Sequence, residues 1–365
     1  MKRLPLVFIL MLSASLPAAE APTFLEIVTT HFERWDRDRD GVLTVAELDT
    51  LVADPLNKGD EASAIAVLKR ASRSTRIKIP RLTQSLVKEA VGAPPSATRL
   101  DFVKMFKEGQ AALLSARKRE LFPDGAPRLD TIHQGRLGNC FCLAPLGAMV
   151  HRDPQQVVRL FAKEADGSYR VALGKRNVHI TSPTDAELAM TSSNEGAGLW
   201  VNSYEKAVGT ALNEAKPVEQ RAGSPTDVLA KGGSAGTILE LITGHPIRRI
   251  SFVFAKDAKV DEVGRQAQLH ELRIQVEAAV REQRLMTCGT LAVTTPGLTP
   301  NHAYAVLGFD AKTQQVRLWN PHGGAFKPKG EPGPTAGYPM KDGIFEIALA
   351  EWPKQFSGMA YETER

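Results

Sequence analysis

The sequence predicts an α+β protein in which a small all-α domain precedes a larger part built of two lobes. The length comes first: 365 residues exceed what a single hydrophobic core ordinarily fills. Periodicity is the second observation. It is helical from Thr23 to about Leu121, and from Phe122 onward helix and strand patterns alternate. Third, within that larger part helix signals come early and strand signals late, which suits a helical lobe, a sheet-rich lobe and a cleft between them. The expected divisions are a leader over residues 1–21, a helical domain over 22–121 and the two-lobed part over 122–362.

The leader reads MKRLPLVFILMLSASLPAAEAPT. Lys2 and Arg3 give a positive start, Leu4 to Leu12 an apolar run and Leu16 to Ala21 a small-residue tail, the pattern of a secretory signal peptide cleaved between Ala18 and Pro22. The run is too short to span a bilayer, which takes about 20 residues, and no later segment is long and apolar enough. A secreted or periplasmic protein without stable membrane insertion is expected. Net charge is +5, but the basic residues are scattered apart from Arg117-Lys118-Arg119. No aromatic-interleaved basic motif accompanies them, so nucleic acid is not an expected partner.

Three cysteines are an odd number for an exported chain. Cys140 and Cys142 are too close to bridge each other on a helix, and a bridge from either to Cys288 leaves a free thiol at residues 140–142. In an oxidising compartment a free thiol is usually kept for its reactivity.

In the two-lobed part, helices are expected at Cys140–Val150, Gln155–Lys163, Leu199–Asn213, Thr237–Thr243 and Glu262–Arg284. Strands are expected at Tyr169–Leu173, Val178–Thr181, Ser251–Phe254, Leu291–Thr294, Tyr304–Phe309, Val316–Trp319 and Ile344–Ala348. The Gly/Pro-rich stretch PKGEPGPTAGYP, residues 328–339, reads as a surface loop.

In the helical domain, residues 36–47 read DRDRDGVLTVAE. Asp36, Asp38 and Asp40 fill the first three ligand positions of an EF-hand loop, and Gly41 supplies its sharp turn. Val42 offers a backbone carbonyl, Thr44 follows, and Glu47 stands where a bidentate carboxylate closes the shell. Calcium is the expected ion. A second loop, SRSTRIKIPRLT at residues 72–83, aligns with Ile79 as partner to Leu43 but lacks the carboxylates, so it is expected to pack rather than bind.

The stretch HQGRLGNCFCLAPLG, residues 133–147, places Cys140 at the mouth of a helix. Unpaired amides and the helix dipole favour a thiolate there. Gln134 can offer its side-chain amide to an oxyanion, beside the Cys140 amide. A thiolate nucleophile needs a base, and the base needs an orienting group. NHAYAVLGFD and VRLWNPHG supply them: His302 opens one strand and Asn320 ends the next, so an antiparallel pairing brings the two together.

These segments resemble the protease core of the calpains. The family's Q-G-x-L-G-D-C-W is here QGRLGNCF, its G-H-A-Y is NHAY, and its N-P-W-G is NPHG. LWVNSYEKAVGTAL, KGGSAGTILELITGHP and DGIFEIALAEWPKQF resemble further family segments, in the same order, over about residues 122–362. The resemblance implies a papain-like fold, with Cys140 as nucleophile, His302 as base, Asn320 as orienter and Gln134 as oxyanion donor. It also implies hydrolysis of protein or peptide substrates through a thioester. Asn139, Phe141, His322 and Pro145 depart from the family pattern without removing a reacting atom. Two other readings use the same residues: an inactive calcium-binding interaction protein on this fold, and a thiol enzyme that passes acyl groups to amines.

Overall fold

The structure, a computed structural model, describes residues 21–74, 81–94, 96 and 99–364. Residues 1–20 of the expected leader and half of the second loop, Ile79 included, lie outside the described residues.

Five helices open the described chain: α1 (Phe24–Trp35), α2 (Val45–Ala53), α3 (Gly59–Ser72), α4 (Gln84–Gly92) and α5 (Phe102–Ser115). The next lobe contains α6 (Cys140–Arg152), α7 (Pro154–Val158), β1 (Phe161–Lys163), β2 (Tyr169–Leu173), β3 (Arg176–Ile180) and α8 (Asp185–Met190). It continues with α9 (Trp200–Glu214), α10 (Pro225–Leu229) and α11 (Ala235–Thr243). The second lobe comprises β4 (Ile247–Ser251), α12 (Glu262–Arg281), β5 (Met286–Gly289), β6 (Ala303–Asp310), β7 (Gln315–Trp319), β8 (Ile344–Ala348), α13 (Trp352–Gln355) and β9 (Gly358–Glu362). Among the described residues the strands form a three-stranded sheet, β1-β2-β3, and a six-stranded antiparallel sheet ordered β4-β9-β5-β6-β7-β8. The expected α+β plan, helices before strands, is what the chain adopts.

Two expected strands fall elsewhere. The apolar run at 251–254 turns into a 3₁₀ segment that buries Phe252 and Phe254, while the strand is the more polar Ile247–Ser251 before it. At 291–294 the β-branched residues lie in a loop and Leu291 is exposed, whereas Met286–Gly289 is the central strand, paired on both sides. Cys288 lies in that strand and sides with Tyr304 in the core on the sheet's far face, under α12. Cys142 belongs to the core of the helical lobe, and all three cysteines are free. The sheet stands between the two buried thiols, so the Cys142–Cys288 bridge that the sequence allowed is not formed.

The nucleophile-bearing helix α6 runs unbroken through Pro145 and is buried from Phe141 to Val150. Gly147 sits at its centre because nothing larger fits: a Cβ there would fall inside the indole of Trp319. The helix thus rests directly on the last residue of β7.

The parts of the chain on either side of the division near residue 120 share a core. Phe24, Trp35, Leu48, Ile65 and Phe106 share one hydrophobic core with Ala186, Ala189 and Met190 of α8. Across the same junction the fully buried Lys69 ammonium lies 2.5 Å from Asp49 and 2.8 Å from Asp227, and Arg73 reaches Asp227 at 2.8 Å. A buried charge whose partner is deleted is left uncompensated, at a cost of about 3–5 kcal/mol. Lys69→Met is therefore expected to lower the unfolding free energy of the whole chain, read from urea titration, by an amount in that range, with loss of α3 and of the α8 packing in one transition. A variant as stable as wild type would show that the pair carries no net weight.

Candidate active site

Cys140 is the first residue of α6 and is half-buried, whereas the residues that follow it are buried. Gly138, at φ +76°, makes the turn that delivers the chain to the helix start. The amides of Cys142 and Leu143 bond back to the Asn139 carbonyl at 2.8 and 3.2 Å. Those of Cys140 and Phe141 have no backbone acceptor and point toward the sulfur, where they favour its anionic form. The Asn139 side chain does not cap its own helix. It donates instead to the buried carboxylate of Glu205 on α9, which also accepts from the Ser192 hydroxyl at 2.6 Å and the Ser192 amide at 3.1 Å. Burial, opposed by the bonds from Ser192 and Asn139, raises the Glu205 carboxyl to about 7.

His302 and Asn320 meet because β6 and β7 pair with Ala305 opposite Trp319, which sets both residues at the same end of the hairpin. The ring Nε2 of His302 lies 2.8 Å from Oδ1 of Asn320. That same oxygen accepts the His322 amide at 3.0 Å, which fixes it as the acceptor end of the Asn320 amide. Nε2 must then carry the proton, and neutral His302 keeps an open lone pair on Nδ1. The His322 ring stacks on His302 at 4.6 Å and 6°, so it covers the imidazole with an aromatic face although it replaces a larger ring. Tyr304 packs edge-on against the same imidazole at 4.9 Å.

Cys140 and His302 line two adjoining clefts together. One, of about 470 Å³, is bounded by Phe141, Gly233–Gly236, Met359 and Ala360. The other, of about 820 Å³, contains Gln134, Gly138 and His322 and is walled by residues of α3 and α5. Gln134 is held by its backbone amide on the Pro321 carbonyl at 2.8 Å, and its side-chain Oε1 is buried without a partner. The Gln134 side chain lines the cleft beside Cys140. Of the four residues expected from the sequence, Gln134, Cys140 and His302 border one cleft, and Asn320 is buried behind His302, to which it is bonded.

Their ionisation differs from the expectation. Burial pushes the Cys140 thiol up, more than the Ala303, Phe141 and Cys140 amides bring it down. Burial, followed by the charge of His322, takes His302 down to about 4 despite the Asn320 bond. Among the described residues no hydrogen bond joins the sulfur to His302. Burial of both groups favours the neutral thiol and the neutral imidazole, against the pull of the helix mouth.

With this geometry in place the family can be decided by comparison. The model of the calpain family cysteine proteases matches residues 110–332, well over half of the chain. The chain belongs to that family. No curated protein matches it. The matched stretch of this calpain-family chain holds Gln134, Cys140, His302 and Asn320, and ends before β8 and β9, which complete the same sheet.

The acidic loop lies between α1 and α2. Ligand oxygens of Asp36, Asp38 and Asp40 fall within 4.8 Å of one another. Gly41 takes φ +80°, as the sharp turn requires. Oδ1 of Asp36 is buried and has no partner, a cost that a cation there would remove. The bond from the Asp40 amide lowers Asp38, but burial and the charges of Asp40 and Glu47 outweigh it and raise its carboxyl. Glu47 is not gathered with the three aspartates. It closes a capping box on α2 with Thr44 and accepts the Arg37 amide at 2.7 Å. Thr44 is thus occupied as a helix cap, with its hydroxyl bonded to Glu47 at 2.8 Å. The Leu43 amide bonds the Leu82 carbonyl at 2.9 Å, and the expected partner Ile79 lies outside the described residues. Thr83 then caps α4 as Thr44 caps α2, and Leu86 stands where Glu47 would be.

Sequence reasoning missed Glu205 and the cleft wall contributed by α3 and α5. The Tyr-Glu-Lys-Ala run marked a helix, but no local pattern shows that its glutamate lies under the nucleophile. Only thiolate alkylates readily, so the raised thiol fixes a test. Iodoacetamide labelling of Cys140, followed by peptide mass mapping, is expected to be slow at pH 6 and to rise about tenfold per pH unit through pH 9. A rate already level by pH 6 would mean that a thiolate–imidazolium pair is present at rest.

Proposed function

We propose that this calpain-family chain is a cysteine endopeptidase that cuts peptide bonds through a thioester on Cys140. One observation carries the reading: the Asn320 carboxamide, oriented by the His322 amide, commits Nε2 of His302 and leaves an unprotonated Nδ1 on the ring that shares a cleft with Cys140. Sγ attacks the scissile carbonyl carbon while Nδ1 takes the thiol proton, because the resting sulfur is neutral. The negative oxygen that forms is met by the Cys140 amide and the Gln134 side-chain amide. The C–N bond breaks, the proton passes from Nδ1 to the leaving amine, and a thioester remains. Water gives a proton to Nδ1 and attacks the thioester, which restores the thiol and releases the acid.

Cleavage of a quenched fluorescent peptide by wild type, with none above background by Cys140→Ala or His302→Ala, is the expected result. Asn320→Ala should retain about a tenth to a hundredth of the rate, since it loses orientation and not a reacting atom. The value of kcat/KM should fall as pH drops through about 4, where Nδ1 of His302 becomes protonated and can no longer accept the thiol proton. Equal inactivity of wild type and Cys140→Ala on every peptide would favour the interaction-protein reading.

The same proposal includes a structural calcium ion held by Asp36, Asp38 and Asp40, with the Val42 carbonyl, Thr44 and Glu47 as further donors of the EF-hand loop. Such an ion would balance three clustered carboxylates and tie α1 to α2. Export by the leader at residues 1–21 would place the loop where calcium is abundant. Millimolar calcium is expected to raise the melting temperature of the full chain, and Asp36→Asn to remove that rise. No shift in wild type would defeat the calcium reading and leave the peptidase reading standing.

A further inference from the structure

Helices α3 and α5 do more than brace the fold, because they form one wall of the larger cleft at Cys140. Arg70, Arg73, Arg99 and Lys104 from that side, and Arg136 from the loop before Cys140, line it. Among the described residues of the lining, only Asp101 and Glu108 oppose these five cations. Glu108 is already shared between Arg136 at 2.8 Å and Arg70 at 3.5 Å, and Asp101 caps α5 through the Lys104 amide at 2.8 Å. Arg73 is drawn to Asp227. Arg99 and Lys104 are exposed, and among the described residues neither side chain has an ion-pair partner. A concave wall with excess charge of one sign focuses its field into the cleft.

Because Cys140 and His302 border both clefts, an extended peptide whose scissile carbonyl meets Cys140 must run along both. At about 3.3 Å per residue, two or three residues of the substrate lie against the wall. The opposite cleft offers Gly233–Gly236, Met359 and Ala360, so the two sides of the scissile bond meet different chemistry. We propose, resting on the peptidase reading, that Arg99, Lys104 and Arg136 form a subsite for aspartate and glutamate side chains of the substrate, on the Gln134 side of the scissile bond. Arg70 and Arg73 deepen the positive field behind it. The substrate class is acidic peptide segments, and the small helical domain acts as the specificity element of the protease.

The test separates binding from cutting. Full-length Cys140→Ala is titrated, by fluorescence anisotropy, with three labelled decapeptides alike except for acidic, neutral or basic residues flanking the central bond. The acidic peptide should bind about tenfold tighter than the neutral one in low salt, with the advantage shrinking at about 300 mM salt as screening shortens the field. Charge reversal by Arg99→Glu with Lys104→Glu should erase the advantage, and its melting curve serves as the folding control, since both side chains are exposed. Equal affinity for the three peptides, no binding to any, or a preference that survives the reversal would each overturn the subsite. Wild type that binds the acidic peptide but fails to cut it would defeat the peptidase reading alone.

Discussion

The close contact between Gly147 and Trp319 sets the geometry on which the site depends. The sulfur is carried by α6, and the imidazole and its orienting amide are carried by the hairpin of β6 and β7. Those two pieces of chain are joined only by a long excursion through the rest of the molecule. With no side chain at 147 the helix backbone meets the indole directly, and Asn320 is the very next residue. Close packing of this kind transmits position with little slack. A larger residue at 147 would lift the helix mouth away from the hairpin and widen the cleft by the thickness of a methyl group, a large error for proton transfer between two side chains.

How much of this was legible in the sequence follows from which forces act locally. The α6 and α9 helices, the β6–β7 hairpin and the strand Ile344–Ala348 carry strong periodic patterns, and they stand where those patterns put them. The central strand Met286–Gly289 was invisible because burial on both faces erases alternation, while the neighbouring β-branched run attracted the assignment. Gln134, Cys140, His302 and Asn320 could be read because chemistry demands those residue types in motifs short enough to recognise. Their protonation could not be read. It depends on desolvation and on a sulfur-to-nitrogen distance, and neither is encoded in spacing.

Charged groups buried between the small helical domain and the core show the same limit. The helical domain looked separable because its pattern changes near residue 120. Lys69 lies 20 positions from Asp49 and 158 from Asp227 in the chain, and only folding reveals them as one cluster. Buried ion pairs add little net stability but penalise any arrangement that separates the partners. The small domain is thereby held in one orientation, which keeps its basic face against the cleft.

The bond from Asn139 to Glu205 carries an implication for how such a site can change over time. An aspartate at 139, the residue found in the family motif, would set a second carboxylate against one already buried, and the two would have to share a proton. The amide removes that conflict by turning an acceptor into a donor. Positions 139 and 205 are therefore coupled: in this chain the Asn139 amide donates to Glu205, and a carboxyl at 139 would meet it only if one of the two held a proton. The identity of the residue preceding the nucleophile is settled sixty-six positions away, on a different helix.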